Sequence, residues 1–429
     1  MKSYIPKIQK LSANITPFAG ISYVNAEFNR CGLTELIDTE LGIRGKGGGY
    51  SYSDIFRTWF NIFFCGGECA EDIQVHLGPS LKQIPDNSVP GADTLLRGIK
   101  ELAVDNTQVV STSDKTYQFN INDKMNGLLL KSLLLTKQLV SGQSYDFDYD
   151  NQILAHEKYD AQKTYKKNTG YFPGIASLGR NVIYVENREG NANVKTGQAK
   201  TLERIYGSIK QNGMSVNRSR MDAGSYSEDI VDVVSKNSRL FYIRANKCMS
   251  LTTRINQIED WKSVEINFKD LQVASLKFTS FFEDRNYRLV IQREKKNDPQ
   301  LDIFDGEFVY RCILTNDWES SEKEVIEYYN QRGSSETNFD VMNNDFGWKH
   351  LPCSDMNHNT VYLILTAMIK NFYHYVVEKV SKVFENILPT SRLKRFIFRF
   401  ITVPGRWVRR SRRWILSLYT DRPYEKVFV

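Results

Sequence analysis

A chain of 429 residues with 41% hydrophobic and 12% aromatic residues is long enough to bury two or three cores, which excludes a disordered protein. Its formal net charge is +7, and nine basic side chains without a single acidic one lie between Arg392 and Arg413. No apolar run approaches the ~20 residues of a membrane span, and Met1–Lys10 lacks the apolar stretch of a secretory signal. Six scattered cysteines are too few for a disulfide scaffold and indicate a reducing compartment, so we expect a cytoplasmic protein.

The first ~140 residues are predicted to be helical. Apolar residues recur at helical spacing after Ser53-Asp54, a pair that can cap a helix, and a second helix is predicted to begin near Pro90. Arg97 and Lys100 lie on a different side of that second helix from its apolar residues. A small basic helical domain of this kind can dock in a DNA major groove, and a helical bundle with solvated charges explains the same pattern.

The middle of the chain changes to strand patterns near Ser141. The strictly alternating segment 144–150 is typical of a strand, and further strands are predicted at 181–186 and 240–244. From about 249 to 315 the pattern is mostly β, with four predicted strands: 264–268, 276–282, 287–292 and 308–314. After Ser320 the chain is predicted to be helical again.

Three aspartates, Asp146, Asp148 and Asp150, alternate with aromatic residues in the segment 144–150. Because residues two apart in a strand share a face, the carboxylates point one way and the aromatic rings the other. A row of like charges needs solvent or a bound cation. The pattern therefore fits either an exposed edge strand or a site for a hard divalent ion such as Mg²⁺.

Another aspartate follows a short predicted strand that ends at Met221. Asp222 is preceded by Arg220 and followed by the turn residue Gly224, and Ser227 can cap the next helix. This layout places Asp222 at the C-terminal rim of a sheet, where α/β proteins put their sites. A plain Asx turn at Asp222 explains the same residues.

A further helix is predicted to begin at Ser321, where Ser321-x-x-Glu324 resembles a capping box. Gly333 within this helix costs ~1 kcal/mol in helix propensity, which predicts a close approach to its backbone. Phe339 is expected on the side opposite the polar residues. At ~100° per residue, one continuous helix brings four polar residues onto a single narrow face: Tyr329, Arg332, Glu336 and Asn343.

The spacing Tyr329-x2-Arg332-x3-Glu336 resembles the Y-x2-R-x3-E signature of bacterial insertion-sequence transposases with a DDE catalytic core. The order of Asp148, Asp222 and this helix is similar to the family pattern, and the chain resembles the insertion-sequence 1380 group over about 21–408. In that family a lysine usually follows seven positions after the glutamate. This chain has Asn343 there, and Lys349 is a candidate replacement from further along.

The resemblance implies an α/β fold with an RNase H-like catalytic core, in which a mixed five-stranded sheet is flanked by helices. It also implies a β-rich insertion between the second and third acidic residues, which agrees with their separations of 74 and 114 residues. The corresponding N-terminal domain is helical, binds DNA and covers 1–140. The core has two parts, 141–248 and 321–385, and the insertion between them covers 249–320. A basic C-terminal DNA-binding segment covers 386–429.

Catalysis by two Mg²⁺ ions, for which Mn²⁺ can substitute, is a further implication of the resemblance. Asp148 would bridge both ions, while Asp222 and Glu336 would hold one each, and Asp146 and Asp150 are alternates for Asp148. The site would free the 3′ end of the mobile element and then use its 3′-OH to attack target DNA, with a hairpin intermediate at the element's end.

Three aromatic and basic residues near this site have expected roles in holding DNA. By resemblance, Tyr329 and Arg332 would grip the terminal phosphates of the transferred strand. A hairpin requires an unstacked base to rest on an aromatic surface, for which Trp318 is a candidate. Core packing is the favoured interpretation of Trp318.

The basic segment from 392 to 414 interleaves aromatic residues with arginines, as in proteins that neutralise DNA phosphates. A membrane-surface helix has a similar composition, but Pro404-Gly405 interrupts any such helix. We expect no membrane contact. The residues expected to contact DNA, besides Tyr329 and Arg332, are the following: Asn343, Lys349, Arg392, Lys394, Arg395, Arg409 and Arg410.

The expected partners are the element's terminal inverted repeats and target DNA, with a homodimer assembled on the DNA and a bacterial, nucleoid-associated location. Two alternatives remain open. An inactive DNA-binding protein derived from a transposase is supported by Asn343 alone, and a nuclease that does not join strands has the same acidic residues.

Overall fold

The structure is a computed structural model in which two compact units are distinguished. The terminal unit combines Met1–Glu101 with Phe372–Val429, and the central unit is Leu102–Asn371. The side chains of 249, 250 and 334–337 are not described. The described parts of the chain are 14–45, 49–246, 249–282, 284–295 and 308–427.

The described residues form thirteen α-helices, two of them single turns that adjoin π-helical turns at Ile73–Leu77 and Ile397–Ile401. The helices are α1 (Ile21–Arg30), α2 (Leu33–Leu41), α3 (Tyr52–Phe64), α4 (Gly78–Leu81), α5 (Ala92–Glu101), α6 (Asp123–Leu135), α7 (Gln198–Gln211), α8 (Glu228–Asn237), α9 (Met249–Asn256), α10 (Glu322–Asn330), α11 (Gly333–Asp345), α12 (Met356–Ser381) and α13 (Leu393–Phe396).

The same residues form sixteen strands in three sheets. The strands are β1 (Thr107–Val110), β2 (Thr116–Asn120), β3 (Ser144–Asn151), β4 (Leu154–Ala155), β5 (Gln162–Lys163), β6 (Thr169–Tyr171), β7 (Gly174–Leu178), β8 (Asn181–Arg188), β9 (Ser215–Met221), β10 (Ser238–Ala245), β11 (Lys262–Ile266), β12 (Lys269–Phe278), β13 (Tyr287–Lys295), β14 (Phe308–Thr315), β15 (Gly405–Arg410) and β16 (Arg413–Leu418).

The terminal unit is built around aromatic side chains. The helix α3 begins with a capping box in which the Ser51 hydroxyl accepts the Asp54 N–H and the Asp54 carboxylate accepts the Ser51 N–H. Ser51 is therefore the cap, and not the predicted Ser53-Asp54 pair. The rings of Phe28 and Phe60 meet edge to face with centroids 5.2 Å apart, and both contact Phe372. Such pairs add to the burial of apolar area in a core.

An eleven-stranded sheet forms the centre of the central unit, in the order β1-β2-β8-β7-β3-β9-β10-β14-β13-β12-β11. The strands β3, β9 and β10 are parallel, whereas β7 and β8 pair antiparallel. The predicted mixed α/β fold is confirmed, and its five central strands include both parallel and antiparallel pairs.

The strand β3 lies between β7 and β9, so the interpretation of 144–150 as an exposed edge strand is wrong. Phe147 and Tyr149 are fully buried in a core cluster with Ile205 of α7 and Ile230 of α8. The alternation along β3 therefore turns its aromatic rings toward these helices. The carboxylates of β3 belong to the opposite face of the sheet.

Two segments differ from the sequence-based predictions, and a third, predicted to be β-rich, is β-rich and joins the central sheet. β1 and β2 lie within the first 140 residues, which were expected to be helical. The strands of the predicted insertion, β11 to β14, extend the central sheet because β14 pairs with β10. In the basic segment, β15 and β16 form an antiparallel hairpin where a helical pattern was expected. Among the described helices, none combines the length and apolar character needed to cross a bilayer.

Lys370 of α12 is fully buried, and its ammonium donates to the carbonyl oxygen of Arg180. Burial, and to a lesser extent the charge of Arg180, lowers the pKa of Lys370 to about 7. An unfolded lysine has a pKa of ~10.4, so between about pH 7 and 10 the unfolded chain binds more protons at Lys370 than the folded chain does. The free energy of unfolding therefore rises with pH across that window.

The variant Lys370→Met is expected to remove this rise and to be more stable than the wild type at pH 7 by roughly a few kcal/mol. The measurement is urea unfolding at pH 7, 8 and 9, with the exposed Lys382→Met as the control. Stability curves of wild type and Lys370→Met that run parallel over this range would contradict the expectation.

Candidate active site

The parallel strands β3 and β9 bring their aspartates to one edge of the sheet. Their register pairs Asp148 with Arg220 and Tyr149 with Met221. The next residues along the chain are Asp150, within β3, and Asp222, directly after β9, so these two carboxylates lie at the same end of adjacent strands. This is the position that the sequence predicts for Asp222.

Asp222 ends β9 and caps the short 3₁₀ turn Ala223–Ser225. Its Oδ1 accepts the N–H of Gly224 at 3.0 Å, which is an Asx-type bond, and no described residue bonds Oδ2. A Cβ at Gly224 would lie 2.8 Å from Val194 Cγ1 and 3.0 Å from Asp222 Oδ1, so the turn needs glycine. The turn fixes Asp222 and leaves one carboxylate oxygen available.

Each of the three aspartates of β3 is paired with an arginine. Asp146 pairs with Arg218 at 2.5 Å, and this pair is about one third exposed. The carboxylate oxygens of Asp148 accept from Nε and Nη2 of Arg220, both at 2.8 Å, and both side chains are buried. The carboxylate of Asp150 accepts from Nη2 of Arg332 at 2.5 Å. Sequence reasoning missed these pairs.

The helix α10 is attached to this face by two consecutive tyrosines. The guanidinium groups of Arg218 and Arg220 lie 4.0 and 4.7 Å from the centre of the Tyr328 ring, within the range of a cation–π contact. Arg220 also donates to the Tyr328 carbonyl oxygen at 3.1 Å. The hydroxyl of the buried Tyr329 donates to the carbonyl oxygen of Met221 at 3.2 Å, next to Asp222.

Burial has the largest effect on the ionisable groups at this edge. Burial raises the pKa of Asp150 to about 7; Arg332 opposes this shift, whereas the charges of Asp222 and Asp148 add to it. Burial also raises the pKa of Tyr329 to about 12. The raised pKa of Asp150 therefore reflects mainly its burial, and the charges of the neighbouring aspartates are smaller causes.

The predicted single helix from Ser321 is in fact two helices. α10 ends at Asn330 and α11 begins at Gly333, with Arg332 as its N-cap. The helical angles that put the four polar residues on one face assume a continuous helix, so they do not apply across this break. A Cβ added at Gly333 would meet open space, and the close approach of a partner to its backbone stays a prediction.

The third acidic residue, Glu336, lies in α11, but its side chain is outside the described residues. Phe339 lines a cavity together with Asp148 and Asp150, so its expected place on the opposite side is also wrong. The helix α11 therefore turns the side that carries Phe339 toward the aspartates of β3.

An open cleft of about 900 Å³ begins at Asp222 and extends over β10, β12 and β14. Tyr329 and Arg332 line it beside Asp222. Three exposed basic residues that sequence reasoning missed also line it: Arg244, Lys269 and Arg311. The signal in the sequence was an arginine, Arg244, between the apolar Ile243 and Ala245 of a predicted strand.

The sequence profile of a family described as "Transposase DDE domain group 1" matches residues 11–429. The chain belongs to this transposase family. A comparison with curated proteins gives no significant match. Among solved structures, the chain is similar to the piggyBac transposase in a cryo-EM synaptic complex with hairpin DNA. The sequence identity is 12% and the TM-score is 0.44, and the match covers 90% of this chain and 80% of that chain.

DDE transposases generally use divalent metals, and the donor chemistry at this edge fits such an ion. The free oxygen of Asp222 and the crowded Asp150 offer the hard oxygen ligands that Mg²⁺ prefers. Within the described side chains, no group of three or more His, Cys, Asp or Glu residues gathers to hold a metal. Glu336 is outside that set.

The other residues predicted for this transposase are spread over both units. Trp318 is 50% exposed and its indole N–H donates to Asn286, so the favoured core-packing role is wrong. Lys349 is exposed and donates to Asn344, and Asn343 is half-buried. In the terminal unit, the remaining predicted DNA contacts lie around α13 and on β15: Arg392, Lys394, Arg395, Arg409 and Arg410.

Proposed function

We propose that the chain is an active DDE transposase of the insertion-sequence 1380 group, which cuts the ends of a mobile DNA element and joins the 3′-OH to target DNA. The placement of Asp150 and Asp222 at the same end of two adjacent parallel strands, with Asp148 two residues earlier on β3, carries this proposal. The helices bearing Tyr329 and Arg332 pack against the same strands. The strands β8-β7-β3-β9-β10 would form its RNase H-like core.

Asp148, Asp222 and Glu336 would hold Mg²⁺ or Mn²⁺, with Asp150 as the best supported alternate and Asp146 as a weaker one. When bound, two such ions supply an activated oxygen nucleophile and neutralise charge at the scissile phosphate. Asp146 is the weaker alternate because its pair with Arg218 lies further from the strand end. Asp150 is favoured by its place beside Asp222.

The residues of this chain prepare the site by charge and by position. The hydroxyl of Tyr329 holds the carbonyl of Met221 and thereby fixes the end of β9 at Asp222. Arg332 bonds Asp150 through Nη2, and its buried Nε lacks a hydrogen-bond partner among the described residues. We assign this Nε to a phosphate oxygen of the transferred strand. Trp318, exposed near α10, is assigned to an unstacked base at a hairpin end.

The cleft beside Asp222 is the proposed path of the DNA strand. Arg244, Lys269 and Arg311 line it, and each neutralised phosphate adds salt-dependent affinity. The basic segment would also hold DNA through Arg392, Lys394, Arg395, Arg409 and Arg410, and Asn343 and Lys349 of the central unit would contribute further contacts. Pairing of two element ends implies a homodimer on DNA, in a nucleoid-associated bacterial protein.

Replacement of both Arg244 and Arg311 by glutamine is expected to weaken binding of the element's end about tenfold and to reduce the salt slope by about 1.8, or ~0.9 per lost phosphate contact. Fluorescence anisotropy without metal measures this. Arg239→Gln, on the same strand but outside the cleft, is the control. Equal affinities of the double variant and the control would show that DNA takes another path.

The proposal is tested with a duplex that carries the inverted repeats flanking the chain's own coding region. We expect nicks at the repeat ends in Mg²⁺ but not in EDTA, and joined products when a target plasmid is added. A duplex with scrambled repeats is the control. Binding without cleavage would support the inactive DNA-binding alternative, and cleavage without joining would support a nuclease.

A further inference from the structure

The hairpin of β15 and β16 presents a concentrated positive charge. Its strands and turn contain no aspartate or glutamate, and its side chains near the turn are exposed. None of its arginines is paired with a carboxylate among the described residues. The five arginines are Arg406, Arg409, Arg410, Arg412 and Arg413.

The base of the hairpin is fixed within the terminal unit. The N–H of Thr16 donates to the Gly405 carbonyl at 2.9 Å, and the Gly405 N–H donates back at 3.0 Å. A Cβ at Gly405 would lie 2.4 Å from the Cβ of Ala19, so this close approach requires glycine. A fixed base means that the exposed tip is presented in a defined direction.

The turn of the hairpin places a cation at its tip. Ser411 and Arg412 have φ of 48° and 63°, the two positive values of a type I′ turn, between the paired residues Arg410 and Arg413. An Asn-Gly pair would adopt this turn with less strain. The sequence has an arginine instead, so the tip gains charge at the expense of turn stability.

One face of the hairpin also exposes an aromatic ring. Arg409 and Trp414 are directly opposite, and the Arg409 guanidinium lies 5.8 Å from the centre of the Trp414 ring. Trp414 is 48% exposed, and Ile415 on the other face is 44% exposed. Exposed large apolar side chains among unpaired arginines indicate a surface that is covered when the partner binds.

We propose that this hairpin enters the major groove of duplex DNA, tip first, with Arg410, Arg412 and Arg413 inside the groove. Two strands lie about 4.8 Å apart, and the major groove, which is about 12 Å wide, admits a two-stranded ribbon without distortion, whereas the minor groove of about 6 Å has to be widened to hold one. Arg406, nearer the base, contacts a phosphate. The inference rests on the proposed function only in taking DNA as the partner.

The test compares two triple variants at positions 410, 412 and 413 in the full chain, without metal. Replacement by glutamine removes three positive charges that lie between the phosphates on either side of the groove, and is expected to reduce the slope of affinity against salt by up to about 2.7, at ~0.9 per neutralised phosphate. Replacement by lysine keeps the charges and the slope, but is expected to lose preference for the element's end over random duplex. An unchanged slope in the glutamine variant would overturn the inference.

Groove-specific probes give an independent result. Methylation of guanine N7, which lies in the major groove, is expected to interfere with binding by the wild type but not by the glutamine variant. Displacement of the hairpin-dependent binding by netropsin, a minor-groove ligand, would overturn the inference. Wild-type protein that binds no DNA would contradict the proposed function as well. If one of these results overturns the inference while the wild type still cuts the element's ends, the hairpin assignment fails and the proposed function stands.

Discussion

Asp222→Asn is expected to reduce the rate of cleavage at the element's ends by on the order of 10³-fold or more, with the fold intact. A metal ion contributes several kcal/mol to a charged transition state, and each ~1.4 kcal/mol is a factor of ten in rate. Asparagine keeps an Oδ1 that can accept the Gly224 N–H, so the 3₁₀ turn is preserved. The substitution removes the charge and little else.

The measurement is single-turnover cleavage in Mg²⁺, together with the thermal unfolding midpoint. Asp229→Asn on α8 makes the same charge change seven residues later, and its rate should match the wild type. Asp148→Asn and Asp150→Asn, made in parallel, identify which aspartate of β3 acts with Asp222. Cleavage by Asp222→Asn at the wild-type rate would remove this residue from the site.

Arg220→Met is expected to destabilise the protein by about 3–5 kcal/mol, because it leaves the buried carboxylate of Asp148 without its partner. It also removes the bond to the Tyr328 carbonyl, which connects β9 to α10. Arg220→Lys should recover part of the stability, since a lysine supplies the charge but not two parallel hydrogen bonds. Urea unfolding measures both changes.

Arg218→Met is the matched control, because Arg218 also pairs with an aspartate of β3 and also stacks on Tyr328. Its pair is about one third exposed, so the expected loss is below about 1 kcal/mol. Similar losses at Arg218 and Arg220 would contradict the account, since burial is the feature that distinguishes the two pairs.

Local patterns in the sequence predict the strand that matters most for the site. Alternation alone separates Phe147 and Tyr149 from the aspartates of β3, and the structure buries both rings. The residue order Arg220-Met221-Asp222-Ala223-Gly224 likewise predicts a carboxylate at a strand end followed by a turn. Both predictions depend on neighbours within a few residues, which the sequence displays directly.

The pairing of Asp148 with Arg220 could not be predicted in this way, because the residues are 72 positions apart and meet only through the register of β3 and β9. The break at Arg332 was missed because the helical periodicity continues across it and Gly333 is a weak signal. The C-terminal hairpin was missed because Ser411-Arg412 replaces the glycine-containing pair that usually marks a type I′ turn.

The most direct test of the central claim is a Mn²⁺ titration followed by electron paramagnetic resonance, with the element's end bound. We predict that the wild type and Asp229→Asn bind Mn²⁺ equally, and that Asp222→Asn and Glu336→Gln each bind it at least about tenfold more weakly, because each lacks one carboxylate ligand. Mn²⁺ affinity that is unchanged in both Asp222→Asn and Glu336→Gln would contradict a metal site at the ends of β3 and β9.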